Sequence, residues 1–220
     1  MRVAVYYAPP PADPLWVAAC AWLGWDAERG AAVPQPLPGL AEITAAPRLY
    51  GFHATLKPPM RLATDYGSFM DDVARLAATM PAFVLPPLAV MDLSGFLAVR
   101  ETAPCAPLQA LADRCVTTLD PHRAPPDAAE LARRRGDGLS TAQDAHLVQW
   151  GYPHVLDTWR FHMTLTRRLS AAEQAWVRPA AAGHLASALA RRQACTALSV
   201  FTQPGPGAPF RVAERVALTG

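Results

Sequence analysis

The stretches "YGFHATLKPP" at 50–59 and "RFHMTLT" at 160–166 share one pentad, Phe-His-x-Thr-Leu, at 52–56 and again at 161–165. Shuffling this composition would reproduce the pentad at a second place on the order of one time in a thousand. Side chains alternate faces along a strand. Phe52, Ala54 and Leu56 therefore share one face, and His53, Thr55 and Lys57 the other. In the second copy Phe161, Met163 and Leu165 oppose His162, Thr164 and Thr166, with Arg160 on the polar side. Each copy reads as a half-buried strand that lays its apolar face on a core and offers His and Thr side by side to water. One such strand is ordinary, since Thr is a good strand former; the repetition is what asks for a purpose.

The rest of the chain interleaves helices with hairpins. "RVAVYY" at 2–7 is a strand stopped by Pro9, and Asp13-Pro14 caps a helix expected to run to about 28. A proline-rich loop leads to the first motif strand at 49–57, and Ser68 or Asp65 starts a helix to about 79. Runs at 83–91 and 96–101 flank "DLSG" as a hairpin, and Pro107 opens a helix to about 119. Residues 121–158 suggest two short helices and a turn, followed by the second motif strand at 160–166. Ser170 and Glu173 form a capping box for a helix that Pro179 interrupts, with a further helix to about 192. A last hairpin at 197–203 and 210–218 surrounds "PGPGAP". Interleaved helices with hairpin-connected strands give an α+β class with antiparallel sheets.

The 220 residues suffice for one domain, 1–220, with a full core. Apolar residues at 51% and charged residues at 17% exclude a disordered chain. A net charge of +2 permits an anionic ligand without demanding a nucleic-acid groove. Cys20, Cys105, Cys115 and Cys195 have no metal spacing and read as free thiols in a reducing compartment. No secretory leader opens the sequence, and the longest apolar stretch, 15–25, is too short to span a bilayer. The expectation is a cytoplasmic protein with no membrane partner; oligomeric state is left open.

Chemistry narrows the purpose of the repeat. Imidazole titrates near neutrality, so one neutral and one protonated His can act as general base and general acid. Thr hydroxyls two residues on can donate to an oxyanion held between the strands. Two imidazoles, two hydroxyl donors and no carboxylate cluster suit in-line displacement at phosphorus. Metal binding by the same histidines is the competing reading, but the chain has no H-E-x-x-H, no H-x-H and no adjacent acidic set. No metal and no cofactor are expected.

The tandem motifs resemble the signature of the two-histidine (2H) phosphoesterase superfamily, which includes RNA ligase-like enzymes and cyclic phosphodiesterases. The wider context, "RVAVYYAPP", "YGFHATLKPP", "GFLAVRE", "WGYP" and "RFHMTLT", is similar to the branch encoded beside phosphonate-utilisation (carbon–phosphorus lyase) genes. The resemblance runs over nearly the whole chain. It implies two pseudo-symmetric lobes, each with an antiparallel sheet and helices, and an active-site cleft between them. It also implies metal-independent phosphodiester chemistry, with His53 and His162 catalytic and Thr55 and Thr164 holding the phosphate. The implied substrate is small, a ribose cyclic phosphate. Tyr50, Lys57, Arg134 (centre of the run 133–135) and Arg160 are the candidate substrate contacts. Two rivals stand beside this reading: an enzyme acting on RNA 2′,3′-cyclic ends or 2′-5′ linkages, which the short basic run does not favour, and a non-catalytic sensor of a nucleotide or sugar phosphate. His122, His146, His154 and His184 have no repeated context and no assigned role. Which imidazole is the acid is left open.

Overall fold

The computed structural model describes residues 1–136 and 138–220. Strand β1 (Arg2–Tyr7) leads to α1 (Pro14–Leu23), whose Asp13 cap accepts from the Leu15 N–H at 2.7 Å. Gly24, at φ 76°, ends that helix earlier than expected, because the left-handed conformation releases the chain into the short pair β2 (Trp25–Asp26) and β3 (Ala31–Ala32). The proline-rich stretch contains two single helical turns, α2 (Leu40–Ile43) and α3 (Ala45–Arg48). Then follow β4 (Ala54–Met60), α4 (Tyr66–Ala77) capped by Asp65, β5 (Phe83–Val84), β6 (Leu88–Leu93), β7 (Phe96–Glu101) and α5 (Ala106–Thr118). Pro86 and Pro87 separate β5 from β6, where one strand was expected, since proline cannot donate to a ladder. The region 121–158 does hold two helices, α6 (Ala128–Arg135) and α7 (Thr141–Trp150). Asp137, in the turn expected between them, lies outside the described residues.

The chain closes with β8 (Met163–Arg168), α8 (Ala171–Leu189), β9 (Ala194–Cys195), β10 (Ala197–Gln203) and β11 (Arg211–Ala217). Ser170 and Glu173 form the expected capping box. Pro179 does not break α8. The carbonyl it deprives of a partner, on Ala175, belongs to an exposed turn where water can replace the N–H.

Seven strands form one antiparallel sheet in the order β11-β10-β1-β4-β8-β7-β6. The expected pair of sheets is thus realised as two halves of one, joined where the two motif strands meet. That junction is narrow, with Ala54 opposite Met163 as its register pair, because each strand begins there and runs away from the other. Helix α5 lies on β4, α4 on β10 and β11, and α8 on β6. The apolar face of both motifs is sealed: Phe52, Ala54, Leu56, Phe161, Met163 and Leu165 are all buried. Each large one contributes about 1.5–3 kcal/mol to holding the motif in place. His53, Thr55, His162 and Thr164 remain partly accessible on the other face. Among the described residues no helix is long and apolar enough to cross a membrane.

Candidate active site

Both histidines sit one residue ahead of their strand, and both are oriented by the carbonyl two residues upstream. His53 Nδ1 donates to the Gly51 carbonyl at 3.0 Å, and His162 Nδ1 donates to the Arg160 carbonyl at 2.8 Å. A carbonyl only accepts, so each contact fixes the proton on Nδ1 and leaves Nε2 as the working nitrogen. His53 Nε2 lies 3.3 Å from Thr55 Oγ1. Gly51 makes the first of these contacts possible by adopting φ 73°, a region that L side chains avoid. A Cβ there would also meet the Ala27 Cβ at 2.9 Å.

The register carries the two motifs to one place. Extending the Ala54–Met163 pairing by one residue each way sets His53 across from Thr164 and Thr55 across from His162. All four side chains line one open cleft of about 660 Å³. The Tyr6 ring stacks on the His53 imidazole at 3.7 Å between centroids, and Phe96 presents its edge to His162 at 6.0 Å.

This setting depresses both imidazoles. Burial lowers His53 from 6.5 to about 4, with the Gly51 carbonyl opposing and the neighbouring His162 adding to the fall. Burial also lowers His162, opposed by the Arg160 carbonyl and reinforced by Arg100 and His154. The repulsion that a charged His162 exerts on a charged His53 places the two rings within electrostatic reach of each other. One neutral and one cationic imidazole at neutral pH, as expected from ordinary values, is therefore not the state of the unliganded site. Both are neutral there, and a nearby anion is the kind of neighbour that favours the charged form of an imidazole.

The remaining candidates divide. Tyr50 and Arg134 line the cleft. Tyr50 stacks on Phe210 at 5.4 Å, while Arg134 pairs with Glu130 at 2.8 Å and lies 5.1 Å over the Tyr152 ring. Lys57 is not in the site. Its ammonium is fully buried, donating to the Val116 carbonyl at 2.8 Å and to Asp120 Oδ1 at 2.7 Å. The pairing of β1 with β4 slips on both sides of Val5–Lys57, so strict alternation fails there and Lys57 turns inward beneath α5. Arg160 likewise leaves the polar row. It precedes β8, and its side chain faces a separate depression beside Arg100 and Trp159, while its carbonyl holds His162. Thr166 is buried and accepts from the Leu97 N–H at 3.0 Å, a structural role.

Arg133, from the basic run singled out in the sequence, lines the cleft as well, and so do residues that had not been anticipated, among them Arg2, Tyr6, Arg167 and Arg168. The first two were within reach of the same period-two reasoning, since Arg2 and Tyr6 share a face of β1. Among the described residues no three His, Cys, Asp or Glu side chains converge as a metal site would require.

A family model described as "Protein of unknown function (DUF1045)" matches residues 55–211. The chain belongs to the DUF1045 family. The match takes in Thr55 and the whole second motif. This DUF1045 chain is 38% identical over 235 residues to the ribose 1,5-bisphosphate phosphokinase PhnN of Janthinobacterium sp. (strain Marseille), covering 100% of the chain and 51% of that protein. It is 36% identical over 222 residues to the protein of the same name from Laribacter hongkongensis (strain HLHK9), covering 98% and 52%. The chain thus spans about half the length of the curated relatives it matches. Among solved structures, E. coli LigT complexed with 3′-AMP is 15% identical, with coverage of 100% and 98% and a TM-score of 0.49.

Proposed function

We propose that this DUF1045 chain is a metal-independent phosphodiesterase that hydrolyses a small cyclic phosphate by His/His general acid–base catalysis. The observation that carries the reading is the duplicated orientation of the imidazoles, each with Nδ1 on the carbonyl two residues upstream and Nε2 left for the cleft. His53, held to about 4, stays neutral and is the base: its Nε2 takes a proton from water as the oxygen attacks phosphorus. His162 is the acid, and its Nε2 gives a proton to the departing ester oxygen. The P–O bond to that oxygen breaks as the new one forms, which opens the ring to a phosphomonoester and an alcohol. Thr55 and Thr164 hydroxyls donate to the non-bridging oxygens, where charge concentrates in the transition state. A cleft of about 660 Å³ suits a sugar phosphate or single nucleotide. Relatives named for a ribose bisphosphate support a ribose cyclic phosphate as the substrate.

The test is a panel of ribose cyclic phosphates assayed with and without chelator, using wild type, His53→Ala, His162→Ala and the double variant. Turnover should survive chelation. Each single change should lower kcat by about 10²–10⁴, the usual worth of one acid or base, and the double variant should lose far less than the product. A full rate in His162→Ala, or loss on chelation with rescue by a divalent ion, would sink the reading; binding without turnover would favour a sensor.

A further inference from the structure

A second cavity of about 360 Å³ adjoins the cleft, and the two share Arg2, Pro59, Arg133 and Arg134 in their walls. Its far side adds Arg61 and Arg123. Two carboxylates also face it, but both are engaged. Asp127 caps α6 by accepting from the Glu130 N–H at 2.8 Å, and Glu130 holds Arg134 Nη2 at 2.8 Å. Arg123 is likewise committed, gripping Asp120 with two nitrogens at 2.8 and 3.0 Å and the Gln149 carbonyl at 3.0 Å.

The ridge between the cavities is different. Among the described residues Arg133 has no hydrogen-bond or ion-pair partner, and Arg134 Nε is buried without one. Arg2 uses Nε on Gln203 at 2.7 Å, and its guanidinium lies 5.6 Å over the Phe210 ring. Donors from β1 and α6 therefore converge on one ridge with capacity to spare, beside the His/Thr centre. A forked, permanently charged donor of this kind fits the oxygens of a phosphate in pairs. It does not fit a metal ion or an apolar group.

We propose that Arg2, Arg133 and Arg134 form a second phosphate subsite, so that the substrate is a cyclic phosphodiester carrying a separate phosphomonoester group. The inference rests on the phosphoesterase reading of the cleft for its catalytic half only. The cyclic diester lies between the histidines, and the second phosphate reaches over the ridge into the smaller cavity. An uncharged substrate of the same shape leaves the remaining donors of those arginines unused.

Two measurements test this. Calorimetric titration with inorganic phosphate should give two sites in the wild type. One should remain in Arg133→Gln/Arg134→Gln, and the other in His53→Ala/His162→Ala. Arg133 is exposed on α6 and Arg134 is half-buried there, and Gln keeps the helix propensity; a thermal melt verifies the fold. A single phosphate site in the wild type, or two sites surviving in the arginine double variant, overturns the proposal. The second measurement compares adenosine 2′,3′-cyclic phosphate with and without a 5′-phosphate. The 5′-phosphorylated probe should have kcat/KM about 10–100-fold higher, the worth of one or two charge-assisted hydrogen bonds, and that ratio should collapse in the arginine double variant. An equal rate on the two probes, or a preference that survives the substitutions, counts against the subsite. If neither probe is turned over, the catalytic reading fails while the phosphate stoichiometry still decides the subsite.

Discussion

The pH profile of kcat/KM separates the environment described above from what two ordinary histidines would give. The perturbation is pH alone, in buffers of constant ionic strength from pH 3.5 to 8.5. The proposed base must be neutral, and burial holds His53 at about 4, so the acid limb should appear only near that value. The proposed acid must be protonated, and burial holds His162 below the ordinary 6.5, so the alkaline limb should begin below 6.5. The active form is then the dominant one on the acid side of neutrality, and the optimum lies there. Each pH unit beyond a limb costs tenfold, so kcat/KM at pH 8.5 should be at least about a hundredfold below the optimum. In kcat the alkaline limb should move upward, because bound phosphodiester favours the imidazolium. Imidazole titration by NMR on the free protein supplies the same values without turnover. A bell centred on pH 7, or an acid limb already falling at pH 6.5, would refute the argument that burial under Tyr6 sets the base.

Three further outcomes follow from named contacts. Stability should be full above pH 6.5 and fall as pH drops from 6.5 toward about 4, because the unfolded His53 takes up a proton that the folded one refuses; the loss from this residue approaches about 3 kcal/mol, levels off below that window, and is read from denaturant melts. Gly51→Ala forces a side chain into φ 73° and against Ala27, costing about 1–2 kcal/mol for the backbone alone, and should lower kcat by displacing the carbonyl that orients His53; an unchanged kcat in folded variant would free His53 from that carbonyl. Lys57→Ala leaves the Val116 carbonyl and one face of Asp120 unpaired and should destabilise by about 3 kcal/mol, with KM unmoved; a large rise in KM would return Lys57 to the substrate.

The parts of this molecule legible in its sequence are those set by local chemistry. The N-caps at Asp13 and Asp65, the capping box at Ser170 and Glu173, and the alternation of both motifs follow from hydrogen bonds within a few residues. What escaped notice depends on partners far along the chain. Lys57 keeps the parity of Thr55 in the sequence, yet the register slip against β1 turns it inward; Pro58 and Pro59, which cannot donate to the ladder, mark irregular pairing there without telling which way Lys57 turns. Arg160 keeps the parity of His162, but the chain is not yet a strand there. The joining of the two half-sheets rests on one register pair, Ala54 with Met163, between strands more than a hundred residues apart. Tyr6 and Arg2 were readable by alternation once β1 was known to lie beside β4, and that adjacency is itself non-local.

The repeated pentad sets two imidazoles in the same local geometry, but identical motifs cannot by themselves tell an acid from a base. The proposed division of labour rests on what surrounds them. His53 follows Gly51 in a left-handed turn and lies flat beneath the buried ring of Tyr6, with Tyr50 a further 6.3 Å ring contact, so an added proton there meets little water. His162 lies two residues after the exposed Arg160 and meets Phe96 edge-on, so no ring lies flat over it as Tyr6 does over His53. A symmetric pair would have equal proton affinities and would spend half its protonated population with the proton on the wrong ring. The asymmetry of the walls removes that loss in the proposed mechanism: β1 supplies its aromatic cover on the His53 side only, where burial lowers the imidazole to about 4. The proposed catalysis then needs the two motifs to be alike in orientation and unlike in environment, and the sheet offers both by joining two similar strands at its centre and flanking them with different neighbours.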